Sequence, residues 1–418
     1  MGELKKSLTT LTGAGLMLNI VIGAGLLSLP GLAVKMVGDH AIFSWIICAL
    51  ASIPLLLVFV FMGRRYPNAG GVSHFSRMAF GNNIYSATSF IFLGAIIFGL
   101  PSIALTGGHY LSRIIPISPT LIAGMLIILS AFINLLATKT ASKFSTIVAS
   151  AVLIVLTALA LLGLFSIDWD VASSNFIPPK NLNINIAMAP FMMLFFAFTG
   201  WEVAAGISEE FKNPKRDFPR AMFLSFFAAC TLYFLMAVVV QSISISDSYE
   251  SSFATITSIK LGVNGELITS VVAGIIILAN LMAAIWAISR MVYSLSRENI
   301  IPISLKVHKN GSPISSVCLT SATLLLVLML QWLGFFNFEY MLSIAGQNFL
   351  ILYGVASLSL LKISSSIIDK LVSIISIIIV VSLLYLQGLA LYYPLSLAII
   401  GIIVGYIQRG KLEPKPPL

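Results

Sequence analysis

The chain has 418 residues, 58% of them hydrophobic and only 9% charged, with a mean hydropathy of +1.02, whereas soluble domains carry roughly 25% charged residues. That composition excludes an ordinary soluble domain and belongs to a polytopic, all-α integral membrane protein. The net charge of +9 does not mark a nucleic-acid partner, because the basic residues stand singly between apolar runs and do not gather on one face.

In chain order, apolar windows of about 20 residues, the length needed to span hydrocarbon, predict spans near 8–34, 41–62, 84–106, 119–137, 144–165, 186–207, 220–241, 266–289, 315–333, 338–361, 371–387 and 389–407. That makes twelve, although the tight connection around Gly388 leaves open eleven spans plus a re-entrant piece. The first run is too long for a cleavable signal peptide and is not followed by a small-residue cleavage site. Cytoplasmic loops collect Lys and Arg. With an internal N-terminus, only Lys35, Arg113, Lys180 and Lys260 of the 24 basic residues fall outside. Both termini are therefore expected in the cytoplasm, with the bilayer of the inner membrane as the chain's surroundings. The longest polar connections, around 166–185 and 242–265, are too short to bury a separate core, and the tail KLEPKPPL reads as a short disordered end.

The first span contains VIGAGLLSLP, Val21 to Pro30, whose two glycines and proline are poor helix material. In hydrocarbon an unsatisfied backbone N–H or C=O costs several kcal/mol, so a break at mid-membrane is tolerated only where it lines a cavity. Gly23, Ala24 and Gly25 present almost no side chain, and a half-helix starting near Leu26 would aim its positive end at a carboxylate. A glycine face for close helix packing accounts for the same residues. The sixth span repeats the pattern: FFAFTGWEVAAG, Phe195 to Gly206, has Gly200 in mid-run and adds Glu202. Interrupted helices at corresponding positions of two halves point to a transporter's central site. A ligand amine would then meet carbonyls freed near Phe196 and Thr199, with Ile22, Ala197 and Gly200 completing the candidate binding set.

Glu202 is the one acid placed well inside a span, where a charge costs roughly 2.5–3.5 kcal/mol on insertion scales. It is a candidate for proton coupling or gating, or equally a protonated side chain that bonds the unwound backbone. Trp201 and Phe196 read as lids over a bound side chain or as ordinary packing. Asn280, in the eighth span, reads as an interhelical hydrogen bond. His74 and His308 fall in inner loops, and His40 and His109 near the outer boundary. None of the histidines, nor Cys48, Cys230 and Cys318, has metal-ligand spacing, so no metal or cofactor is expected. An integral-membrane enzyme would need paired acids, a Ser/His arrangement or metal ligands inside the spans, and none occurs.

IGAGLLSLP (Ile22–Pro30), YPNAGGVSHFSRMAFG (Tyr66–Gly81), FFAFTGWE (Phe195–Glu202), EEFKNPKRDFPRA (Glu209–Ala221) and SRMVYSLSRENIIP (Ser289–Pro302) together resemble the amino acid, polyamine and organocation superfamily. Within it, the sequence is most similar to the branch of bacterial methionine and branched-chain amino acid exporters. The resemblance implies a five-plus-five inverted-repeat, LeuT-like fold: repeat one over about 8–165, repeat two over about 186–361, and two accessory helices over about 371–407. It further implies that the substrate carboxylate meets Gly23, Ala24 and Gly25, and that its amine meets carbonyls at Phe196 and Thr199. Some proton-coupled relatives carry a lysine within the fifth helix, whereas this sequence has only Lys143, at the expected cytoplasmic entrance. The expected function is secondary transport of neutral, apolar L-amino acids by alternating access, as an exporter with proton antiport through Glu202. Uptake and amino acid exchange stay open.

Overall fold

A computed structural model of the chain describes residues 6–22, 24–67, 71–136, 154–165, 183–243, 248–298, 300–301, 313–386 and 391–412, together with 167, 169 and 172. Helices account for almost all of them, and no strand occurs among the described residues. Helix α1 (Thr10–Val21) opens on a capping box, Thr9 Oγ1 accepting from the Thr12 N–H while Thr12 Oγ1 accepts from the Thr9 N–H at 2.9 Å. Two donors that a helix start leaves without partners are thereby satisfied. One 3₁₀ turn (Ala24–Leu27) separates α1 from α2 (Leu29–Val37), which carries Pro30 in its first turn, where a missing N–H costs nothing. Then follow α3 (Ala41–Arg65), the short α4 (Gly71–Phe80), the 30-residue α5 (Asn82–Leu111), α6 (Pro119–Leu136) and α7 (Ile154–Leu164).

The next apolar stretch falls into pieces: α8 (Ile184–Met188), α9 (Phe191–Phe195), a 3₁₀ turn (Phe196–Phe198), α10 (Trp201–Ala204) and a second 3₁₀ turn (Ala205–Glu210). The remainder is α11 (Asp217–Gln241), α12 (Ser252–Arg297, broken at Gly262), α13 (Ile314–Trp332), α14 (Phe338–Ile363), α15 (Ile367–Leu386) and α16 (Tyr392–Leu412).

Eight helical stretches among the described residues are long and apolar enough to cross a membrane. They are Leu29–Arg65, Asn82–Leu111, Phe191–Glu210, Asp217–Gln241, Tyr249–Arg297, Ile314–Trp332, Phe338–Ile363 and Ile367–Leu386. Pro119–Leu135, Ile154–Leu164 and Tyr392–Gln408 are shorter apolar helices. The protein is a multi-pass membrane protein. The first and sixth predicted spans are not continuous rods, and His74, expected in a loop, sits within α4. Residues 144–153 of the fifth predicted span, Lys143, Gly388, His308 and the terminal EPKPPL lie outside the described residues.

The exposed face of α15 carries aliphatic Ile367, Leu371, Ile374, Ile378 and Val381 at three- and four-residue spacing and ends in the exposed ring of Tyr385. That is the surface hydrocarbon requires and water penalises. Inside, α5 packs against α4, α6, α12, α13, α14 and α16, and α1 packs along α11. At one end of the bundle Lys35 of α2 bonds both Glu250 and Glu339, each at 2.8 Å, and Arg113 bonds Glu266. Elsewhere Arg65 at the end of α3 pairs with Asp369 of α15 at 2.6 Å, and Asp369 also accepts the Ser364 hydroxyl. The segment before α1 is stitched to the segment after α10. Glu210 O accepts from the N–H groups of Ser7 (2.9 Å) and Leu8 (3.0 Å), and Lys212 N–H donates to Leu8 O (2.9 Å).

Candidate functional site

Both interruptions free backbone groups that a continuous helix would have paired, and buried groups of this kind need partners. At the first, Ile22 leaves helical geometry (φ −75°, ψ 86°) while its N–H still bonds Leu18 O at 2.8 Å. Gly23 and the side-chain surroundings of Ala24 and Gly25 lie outside the described residues. At the second, the chain runs through a 3₁₀ turn into Thr199, which is extended (φ −96°, ψ 173°), and then Gly200 at φ +105°. That left-handed conformation is open to glycine at no steric cost. A Cβ there would also press on Val21 at 3.2 Å, so Gly200 lets the two interruptions touch.

Two tyrosines close the accounting. Tyr233 of α11 donates to Ala197 O at 2.8 Å and lies 3.4 Å from Val21 O, so one hydroxyl bridges both interruptions. Tyr110 of α5 donates to Leu27 O at 2.9 Å. The Thr199 hydroxyl donates to Phe196 O at 2.7 Å, occupying one of that carbonyl's two lone pairs and leaving the other. Glu202, 4% exposed, accepts through Oε2 from the Gly200 N–H (2.9 Å) and from the Tyr353 hydroxyl of α14 (2.7 Å). Its carboxyl therefore caps the start of α10 and ties the second interruption to α14.

Between these elements lies a cavity of about 680 Å³. Of the sequence-derived residues, Phe196, Ala197, Thr199, Gly200 and Glu202 line it, as does Asn280. Ile22 is buried behind Val21, which does reach the cavity, and Trp201 is buried against Phe226 with ring centroids 5.7 Å apart. The remaining walls are Leu16, Ile20, Leu26 and Leu29 from the first interruption, Val203 of α10, Tyr233 of α11, Phe92, Ile96 and Ile103 from α5, and Ala283, Ala284, Ala287, Ile288 and Met291 from α12. Phe349 of α14 completes an aromatic chain, its ring 6.2 Å from that of Phe196 and 6.0 Å from that of Phe92. Sequence reasoning missed Tyr233 and Tyr353, although a tyrosine deep in an apolar run needs a partner for its hydroxyl. The alanines of α12 were also missed, and their recurrence on one helical face was the available signal.

At the Lys35 end the cavity is shut. Ser28 Oγ donates to Glu250 O, and Gly31 packs so tightly on the Tyr249 carbonyl that a Cβ would fall 1.9 Å from its oxygen. At the other end the cavity continues. A second space of about 360 Å³, lined by residues including Ser73, His74, Arg77, Tyr85 and Ser294, shares Phe92, Glu202, Val203 and Met291 with the first.

Comparison with known proteins is consistent with this architecture. The sequence model of the amino acid permease family matches residues 8–404. An uncharacterized amino acid permease of Bacillus subtilis is 31% identical over 306 residues, 72% of this chain and 71% of the relative. The L-methionine/branched-chain amino acid exporter of Escherichia coli is 29% identical over 314 residues, 72% of each chain. The human large neutral amino acids transporter small subunit 2 is 24% identical over 385 residues, 82% of this chain and 69% of the relative. These relatives are permeases and transporters, not enzymes, and the chain belongs to the amino acid permease family.

Proposed function

We propose that this permease moves neutral, apolar L-amino acids by alternating access, as an exporter coupled to proton antiport. The observation that carries the reading is the cavity itself. Two interrupted helices meet there, polar groups sit at the interruptions, and apart from Asn280 the remaining walls are aliphatic or aromatic. The substrate's carboxylate faces the turn at Gly23, Ala24 and Gly25, and its ammonium faces the free lone pair of Phe196 O and the Thr199 region. The side chain then lies among Phe92, Ile96, Ile103 and the α12 alanines. Among the described residues Glu202 is the single acid on the cavity wall, with no second carboxylate there to meet a cationic side chain. Methionine, leucine, isoleucine and valine match these walls in character, in keeping with the Escherichia coli relative, an L-methionine/branched-chain amino acid exporter.

The membrane crossings in this reading number twelve: the interrupted 10–37 segment, α3 from the stretch Leu29–Arg65, the seven other long stretches and three shorter apolar helices. They form a five-plus-five inverted repeat over about 8–165 and 186–361, with two accessory helices. Both termini are cytoplasmic, in the inner membrane, so the shut Lys35 end faces outward and the conformation is open to the cytoplasm. Glu202 carries the proton, and Trp201 acts with it as a gating element by holding α10 against α11.

Reconstitution tests this. Liposomes preloaded with radiolabelled methionine or leucine should release it faster when a proton gradient is imposed. Equal release with and without the gradient removes proton coupling, and no release of either amino acid removes the substrate class. Uptake by the same fold is the competing direction, and reversing the gradient distinguishes the two.

A further inference from the structure

Beyond the central cavity, the 360 Å³ space at the open end has a chemistry of its own. Its volume lies within the range of roughly 300–1,000 Å³ that small-molecule sites occupy. The central cavity is walled chiefly by Leu, Ile, Ala and Phe, whereas this one is lined by Ser73, His74, Arg77, Tyr85, Ser89 and Ser294. Arg77 is held in place: its Nε–H donates to Asn82 Oδ1 at 2.8 Å, and its guanidinium lies over the Tyr85 ring at 4.9 Å. Its ion pair with Glu298 is loose, at 3.8 Å. Of five N–H donors in a fixed fork, one is engaged in a hydrogen bond among the described residues. Burial, and next the Arg77 charge, hold His74 below the ordinary imidazole range, with Glu209 opposing them. That favours the neutral imidazole, and among the described residues Arg77 is the one permanently charged cation that lines this space.

We infer that this vestibule is a loading site for the substrate, in which Arg77 and His74 bind the carboxylate of a neutral amino acid before its side chain passes the neck formed by Phe92, Val203, Met291 and Glu202. The inference rests on the function proposed above for the central cavity. A planar guanidinium matches a carboxylate with two parallel hydrogen bonds, and the hydroxyl-bearing Ser73 of α4 lines the same space. A cationic amino acid or polyamine would meet Arg77 as a like charge. Glu298 is the resident competitor for the guanidinium, and the incoming carboxylate replaces it.

Equilibrium dialysis of the purified protein against radiolabelled L-methionine decides the matter. Wild type should bind two equivalents. Arg77→Gln should bind one, its retained equivalent reporting an intact central site and fold. Gly200→Val should also bind one, that of the vestibule. Glu298→Gln should keep two, the weaker becoming about two- to fivefold tighter, the size expected for removing an exposed ion pair. A single wild-type equivalent that Arg77→Gln leaves untouched and Gly200→Val abolishes would overturn the vestibule while sparing the central reading. A single equivalent lost in Arg77→Gln and kept in Gly200→Val would overturn the central reading instead. No bound methionine at all would overturn both.

Discussion

Tyr233 does at the residue scale what no nearby residue can do, since its hydroxyl reaches Val21 and Ala197, 212 and 36 positions away in sequence. Tyr233→Phe leaves both buried carbonyls short of a donor, a loss of about 1–3 kcal/mol. We expect a lower thermal midpoint in detergent and weaker methionine binding, and an unchanged midpoint would show that other groups satisfy the turn. Gly200→Val must force a branched side chain to φ +105° and against Val21, where the left-handed backbone alone costs roughly 1–2 kcal/mol. The variant should insert normally yet bind no methionine centrally, and normal central affinity would contradict the two-interruption site. Glu202→Gln keeps an oxygen that accepts from Gly200 and Tyr353, so the capping role survives and only proton exchange is removed. Binding should persist while gradient dependence disappears, and a variant that retains the dependence would rule out Glu202 as carrier. Gly200 and Glu202 were legible in the sequence because their residue types are rare at such positions in a span. Tyr233 and Tyr353 were not, because their partners lie on other helices.

At the scale of elements, closure on the Lys35 side depends on α2 meeting the turn Tyr249–Ser251 and the start of α14. One ammonium joins two carboxylates, and Gly31 allows backbone to touch backbone. Gly31→Ala places a methyl where the Tyr249 oxygen sits, so this closure cannot form. Lys35→Met leaves Glu250 and Glu339 facing each other as like charges. Both variants should favour opening on that side. In membranes carrying Leu26→Cys, they should raise labelling by an impermeant thiol reagent from the Lys35 side, and labelling no faster than in the parent would exclude the latch. Hydropathy located the helices but could not show the pieces of the sixth apolar stretch, because it sums composition and is blind to dihedral angles. Glycine and proline spacing revealed the breaks, and it left their conformation to be settled by contacts with α11 and α14.

For the whole molecule, periodic apolar windows were enough to identify a helical membrane protein, since the bilayer imposes length and backbone satisfaction on any crossing. The order in which helices pack was beyond that signal. The central position of α5, for instance, depends on small and large side chains meeting across six neighbouring helices. The Arg65–Asp369 pair fastens α3 to α15. Because Asp369 is 2% exposed and the Arg65 side chain 38%, Asp369→Ala strands a cation that can still reach water, and the cost should fall below the 3–5 kcal/mol typical of a broken buried pair. We expect about 1–2 kcal/mol, read as a drop of a few degrees in the detergent melting temperature. No drop would mean that the pair is ornamental.

The three backbone hydrogen bonds that join Ser7 and Leu8 to Glu210 and Lys212 restrict how such a machine can cycle. The near halves of the two broken rods are laced together at their base, so neither can swing alone. Each turnover must either carry them as one lever or undo the lacing and retie it.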